Sequence, residues 1–198
     1  MLVMKKNHYF KNSQLINIIK KFAICFALSW VIALSAQISV PLPFIPITMQ
    51  NTTVMLIALL STTQIAVGAT CLYFLQAVWG FPIMAGGKGG LVAVMGPTGG
   101  FLIGFIAMAF LVSFLKKRVV ESENGISCMI SRFCILSVGQ MGLYLCGLFW
   151  MSLLMSSQNA LTYGLYPFLY KIPASIVVAI LLEKVYCFGK KIVCKKSV

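Results

Sequence analysis

QNTTVMLIALLSTTQIAVGATCLYFLQAVW, residues 50–79, carries no charge over thirty residues. It reads either as one long tilted helix or as two short helices broken at Ser61, Thr62, Thr63 and Gln64. The choice sets the parity of the whole chain. The break holds neither glycine nor proline, so local turn chemistry does not settle it. Charge placement does: with one helix here, the basic cluster at 116–118 would fall on the opposite side of a membrane from the N-terminal lysines.

A membrane is required by what flanks this stretch. No charge occurs from Phe22 to Gly87, from Gly89 to Leu115 or from Phe133 to Tyr170. Each run is long enough to cross a hydrocarbon core of about 30 Å. With 60% of 198 residues apolar, 10% charged and a mean hydropathy of +0.97, the chain lies outside the range of water-soluble domains. Lipid is its solvent.

The net charge of +13 does not indicate nucleic-acid binding, because the basic residues sit in clumps at the ends of apolar runs. Lys5, Lys6, Lys11, Lys20 and Lys21 form one group. Lys116, Lys117, Arg118 and Arg132 form a second, and Lys184, Lys190, Lys191, Lys195 and Lys196 a third. The positive-inside rule puts all three in the cytoplasm, with both termini. An even number of crossings must then precede residue 116 and follow residue 132, and four plus two fits the available lengths. The expected fold is all-α, a polytopic membrane protein with six transmembrane helices: a basic N-terminal segment at 1–21, a six-helix domain at 22–188 and a basic tail at 189–198.

Helix 1 is expected at 16–38, ending before VPLPFIP, where Pro41, Pro43 and Pro46 enforce extended backbone. Helices 2 and 3 follow at 48–60 and 65–79, helix 4 at 99–115 and helix 5 at 128–155. SSQNALTYGLYPF makes an outer connection, and helix 6 starts near Pro173 and ends near Phe188. FAICFALSWVIALSA with its preceding lysines resembles a signal peptide. Its removal would leave an odd number of crossings, so it is expected to stay as helix 1. Ala23 and Ala27, and further on Ala33 and Ala36, form a strip of small residues on that helix, suited either to internal packing or to another membrane subunit.

The segment GFPIMAGGKGGLVAVMGPTGGF, 80–101, follows an odd number of crossings and faces outward. It holds eight of the sixteen glycines, and Lys88 is the only charge between Lys21 and Lys116. It is not a P-loop: Pro82 stands where the first glycine belongs and Gly89 where Ser or Thr must follow the lysine. Any ATP hydrolysis belongs to another polypeptide. AGGKGG brings backbone N–H groups close to a bound molecule and suits a lid, and the apolar LVAVM after it suits a loop folded back over the membrane domain.

Catalytic parts are missing. The single histidine, His8, lies in the N-terminal tail, aspartate is absent, and Glu121, Glu123 and Glu183 lie at or near the cytoplasmic side. Neither a metal site nor a carboxylate pair can be assembled from these. The seven scattered cysteines serve as small apolar fillers and reduced thiols. Binding or transport, not enzymatic catalysis, is expected.

Polar residues cluster toward the outer end: Gln37, Thr48, Gln50, Asn51, Thr52, Thr53 and Gln76, with Lys88 and Lys171. Polar groups at membrane depth are costly unless paired or facing a cavity, so a polar-lined pocket is expected there. Gln50 and Asn51 each offer a donor and an acceptor, as recognition of an amide or ureide requires, or they cap helix 2. The two outer lysines attract an anionic group or are ordinary loop charges.

AQISVPLPFIPITMQ (36–50), GFPIMAGGKGGLVAVMGPTGGFLIGF (80–105) and LYLCGLFWMSLLMSSQNALTYGLYPFL (143–169) occur in order and resemble the BioY family, the biotin-binding S components of energy-coupling factor transporters. The resemblance covers about residues 22–182. It implies a six-helix protein that captures biotin at the outer face and works with a transmembrane coupling subunit and two ATPase subunits, some members lacking dedicated partners. It also implies an interface role for Ala23 and Ala27. For the ligand it implies Gln50 and Asn51 on the ureido ring, Trp79 or Phe81 against the thiophane ring and Lys88 on the carboxylate. Gly87 and Gly89 belong to the covering loop, and Tyr170 and Lys171 to the outer end of helix 6.

The chain departs from the family where PFLPGDxxK is usual. From Pro167 it reads PFLYKIPAS, with Ile172 at the aspartate position and Ser175 at the lysine position. Lys171 returns a positive charge nearby, and nothing returns the carboxylate. An S component for another small carboxylate- or ureide-bearing metabolite, and a stand-alone biotin facilitator, remain open beside the biotin S component.

Overall fold

The computed structural model describes the backbone of residues 2–118 and 125–196, with side chains from 14–118 and 126–189. Glu121 and Glu123, most of the polar connection after Arg118, and the side chains of the outermost lysines and His8 lie outside the described residues.

Eight helices account for nearly all the described backbone: α1 (Leu2–Gln37), α2 (Gln50–Leu60), α3 (Thr63–Val78), α4 (Leu91–Met95), α5 (Gly99–Arg118), α6 (Gly125–Leu154), α7 (Ser157–Gly164) and α8 (Lys171–Lys196). The proline-rich stretch after α1 folds as a two-residue hairpin, β1 (Ser39–Val40) against β2 (Ile47–Thr48), with Ser39 opposite Thr48. A 3₁₀ turn at Tyr166–Phe168 precedes α8. Four helices are long and apolar enough to span a membrane among the described residues: Gln14–Gln37, Gly99–Arg118, Ile126–Leu154 and Lys171–Gly189. Helices α2 and α3, of 11 and 16 residues, reach only about 16 and 24 Å at the α-helical rise. The first and last helices extend further into the basic ends than expected, α1 from Leu2 and α8 to Lys196.

Residues 50–79 are two helices. Ser61 (φ −110°, ψ 175°) and Thr62 (φ −77°, ψ 158°) are extended, and the carbonyls left open by the break are met from another helix. Lys116 Nζ donates to Ser61 O at 3.0 Å, to Ala58 O at 3.4 Å and to Leu59 O. An ammonium has three protons and no acceptor, so it suits a helix C-terminus where carbonyls point outward. Thr62 O then accepts from Ile65 and Ala66 as α3 begins.

Close helix contacts rest on small residues. An added methyl at Gly100 would lie 2.2 Å from Trp150 Cβ, and one at Gly104 would lie 2.7 Å from Leu143 O, so α5 and α6 meet almost backbone to backbone. On α1 the small strip divides. Ala33 and Ala36 are buried, whereas Ala23 and Ala27 are exposed among large apolar side chains such as Phe26, Trp30 and Leu34.

Connectivity sorts the ends of the bundle. The C-termini of α1, α3 and α6 and the N-termini of α2, α5 and α8 share one end with the hairpin, α4 and α7. Lys21, bonded to Gln64 at 2.8 Å, Lys116 beneath α2, and Arg132, paired with Glu183 at 2.7 Å, lie toward the other. The paired Glu183 is buried, as an intramembrane carboxylate must be when its charge is retained.

Candidate functional site

The polar end encloses a cavity of about 240 Å³. Its inner wall comes from Gln50 and Asn51 in the first turn of α2, Tyr73 of α3, Phe101, Leu102 and Phe105 of α5, and Leu143 and Tyr144 of α6. Phe44, Ile45, Pro46 and Thr48 of the hairpin close one side, and Phe168 and Lys171 another. Met84, Ala85 and Lys88, with Val92 and Ala93 of α4, form the cover. The aromatic wall is interlocked: Phe101 meets Tyr144 edge-on at 5.9 Å, and Tyr144 meets Phe168 at 6.1 Å.

The cover is a tight turn fastened at both ends. Met84 N donates to Lys88 O at 2.9 Å and Gly87 N to Met84 O at 3.0 Å. Gly86 and Gly87 take φ of 72° and 68° inside this turn, a conformation that side chains with a Cβ rarely adopt. A methyl on Gly89 would lie 2.1 Å from Phe81 O. The turn hangs from α1 and α3: Gln37 Nε2 donates to Ile83 O at 3.2 Å and Met84 O at 3.1 Å, and Tyr73 Oη to Ile83 O at 3.3 Å.

Of the residues expected at a site, Gln50, Asn51, Lys88 and Lys171 share this cavity, and Thr48 joins them. Trp79, Gly87, Gly89 and Tyr170 lie off its wall. Trp79 caps the end of α3 with 76% of its surface exposed, and Tyr170 is 89% exposed just before α8; neither ring is on the cavity wall. Gly87 and Gly89 shape the turn that carries Lys88. Phe81 is exposed as well, and the aromatic wall is built by Phe101, Phe105, Tyr144 and Phe168 instead. These were not singled out in the sequence because an aromatic in a charge-free run has the same signature whether it faces cavity, core or lipid.

Two buried polar atoms on residues of the wall lack a hydrogen bond of good geometry among the described residues: Gln50 Nε2, a donor whose side chain meets the Tyr73 hydroxyl, and Asn51 Oδ1, an acceptor. Leaving either desolvated and unpaired costs about 1–3 kcal/mol, a cost that a ligand or an ordered water in the cavity would relieve. Lys171 Nζ is committed differently, donating to Thr48 O and lying 5.7 Å over the Phe168 ring. Lys88 stands exposed at the rim. Ile172 and Ser175, the two departures from the family pattern, lie beside the cavity and not on it. Ile172 packs against the core, and buried Ser175 donates to Ile172 O at 2.9 Å.

A model of the BioY family matches residues 4–188 of this sequence. The chain belongs to the BioY family. Among curated proteins, the biotin transporter BioY2 of Lactococcus lactis is 29% identical over 154 residues, 77% of this chain and 80% of that one. A second Lactococcus lactis protein, biotin transporter BioY, is 30% identical over 163 residues, 79% and 82% of the two chains. The biotin transporter BioY of Thermotoga maritima is 38% identical over 87 residues, 44% of this chain and 52% of its own. Among solved structures, the S-component for biotin from an ECF-type ABC transporter superposes with a TM-score of 0.64 at 23% identity, covering 85% of this chain and 93% of that one. This BioY member therefore has the all-α, multi-pass membrane fold of an S component.

Proposed function

We propose that this BioY protein is the substrate-binding S component of a biotin uptake system, and not an enzyme. The observation that carries the reading is the pair of adjacent buried carboxamides on the wall of a largely apolar cavity, Gln50 beside the Tyr73 hydroxyl and Asn51 with its Oδ1 unpaired. A cyclic ureide offers a carbonyl to the first and an N–H to the second. The aromatic wall suits the thiophane ring and the aliphatic chain. Lys88 at the rim suits the terminal carboxylate, and Lys171 with its bond to Thr48 stiffens the opposite wall.

The basic residues toward the end away from the cavity support an orientation with both termini in the cytoplasm and the cavity open to the outside. The two short helices α2 and α3 then count as crossings, making six. The family match and the likeness to an S-component of an ECF-type ABC transporter support import driven by separate coupling and ATPase subunits. The exposed Ala23 and Ala27 face of α1, opening onto the lipid, is the surface offered to the coupling subunit. The uncharged Ile172 and Ser175 favour a second reading, an S component for a different ureide.

Equilibrium binding of radiolabelled biotin to the purified protein tests the assignment. Saturable binding at submicromolar concentration is expected, and its absence refutes it. Uptake in cells lacking all coupling-factor ATPases tests the partners, since undiminished uptake there means a solitary facilitator.

A further inference from the structure

Behind the cavity wall runs a ladder of side chains from three helices. Asn51 Nδ2 of α2 donates to Gln140 Oε1 of α6 at 3.2 Å, Gln140 Nε2 donates to Ser175 Oγ of α8 at 3.2 Å, and Ser175 Oγ donates to Ile172 O at 2.9 Å. Gln140 is 2% exposed. Neither Gln140 nor Ser175 touches the cavity. We propose that Gln140 and Ser175 are positioning residues that fix the sense of the Asn51 amide, so that the cavity wall presents an acceptor there and selects a ligand N–H.

The direction of the ladder follows from the groups at its far end. A backbone carbonyl can only accept, so once the single Ser175 proton is spent on Ile172 O, Ser175 Oγ must accept from Gln140. Met55 Sδ, 3.5 Å from Gln140 Nε2, is likewise an acceptor without a proton, and it holds the same end of the Gln140 amide toward itself. Gln140 Oε1 then has only the Asn51 amino group to accept from. That leaves Asn51 Oδ1 as the atom without a partner, on a residue of the cavity wall. A free carboxamide would be indifferent between offering N–H₂ and C=O, and would match a ligand acceptor as readily as a donor. Three bonds leading back to a helix carbonyl remove that indifference at a site where each unmade bond is costly.

The arrangement also suits an uncharged residue at position 175, in the first turns of α8. A carboxylate or ammonium in place of Ser175 would need its own counter-charge, whereas a serine closes the ladder with no net charge to desolvate. Recognition of the ligand N–H is thereby assigned to a neutral acceptor whose polarity is set from behind.

The choice of ligand in the test rests on the biotin reading, so it has one arm without ligand. In the ligand-free protein, NMR of the Asn51 side-chain amide should show slowly exchanging, rotationally fixed protons that lose protection in Gln140→Leu and, more mildly, in Ser175→Ala. Unchanged Asn51 protons in both variants overturn the ladder whatever the ligand. In the second arm, biotin is compared with the two cyclic carbamates in which either ureido N–H is replaced by oxygen. The parent protein should bind one of the carbamates about tenfold to a hundredfold more weakly than biotin, as loss of one buried hydrogen bond implies. In Ser175→Ala and Gln140→Leu that ratio should fall to about threefold or less. Variants that weaken biotin and carbamate by the same factor have a structural role only, and that result rejects positioning. A parent protein with the fixed Asn51 signature but no affinity for biotin sustains the polarity of the wall and rejects the ligand assignment.

Discussion

Lys88→Ala isolates the proposed contact with the ligand carboxylate. Lys88 contributes its backbone carbonyl to the turn, accepting from Met84 N at 2.9 Å, and alanine keeps that bond. Its ammonium has no ion pair or side-chain hydrogen bond among the described residues, so removing it leaves the cover intact. Because Lys88 is exposed at the rim, a carboxylate there meets a screened point charge worth about 0.5–1 kcal/mol. The affinity for biotin should therefore fall about two- to fivefold at low ionic strength. Raising salt toward 1 M shortens the Debye length to about 3 Å and should remove most of that difference. Biotinamide, identical except for the missing charge, should bind parent and variant alike. Competition against radiolabelled biotin, with both ligands at two salt concentrations, measures all four quantities. Equal losses for acid and amide, or no loss for the acid at low salt, refute the contact.

Two further substitutions test how the bundle is held. Lys116→Met leaves the carbonyls of Ala58, Leu59 and Ser61 without their shared donor, and should cost about 1–3 kcal/mol, seen as a lower thermal midpoint in detergent with ligand affinity per folded molecule unchanged. Arg132→Met removes the guanidinium that the buried Glu183 meets at 2.7 Å, and should lower stability by up to about 3–5 kcal/mol. Adding Glu183→Gln should recover part of this, and a double variant no more stable than Arg132→Met would contradict the ion pair.

The membrane fold was legible because its signals are long-range and redundant. Charge-free runs, lysine clusters and prolines at 41, 43 and 46 each bear on the same set of elements, and the break within 50–79 followed from charge parity even though its turn residues were silent. Half of the candidate site was legible for a related reason. Gln50, Asn51, Lys88 and Lys171 are polar groups where polarity is expensive, and the cavity gathers all four. Trp79 and Tyr170 illustrate the limit, since proximity in sequence to a glycine-rich loop or a helix end does not say which way a ring turns. Gln140 was missed although it is the same kind of signal, a carboxamide inside the charge-free run from 133 to 170.

By itself the sequence determined where lipid replaces water, because transfer free energies add along a segment regardless of what packs against it. It likewise determined that residues 80–101 are not a P-loop, since that pattern is local in the chain. Tertiary structure alone decided which polar atoms find a partner, as Asn51 Nδ2 does, and which, like Asn51 Oδ1, do not. Asn51 is half of a ladder and half of a cavity wall only because Gln140, 89 residues away, and Ser175, 35 residues beyond that, arrive at its side. Hydrogen-bond satisfaction is a property of the assembled pairing, and no stretch of sequence carries it alone.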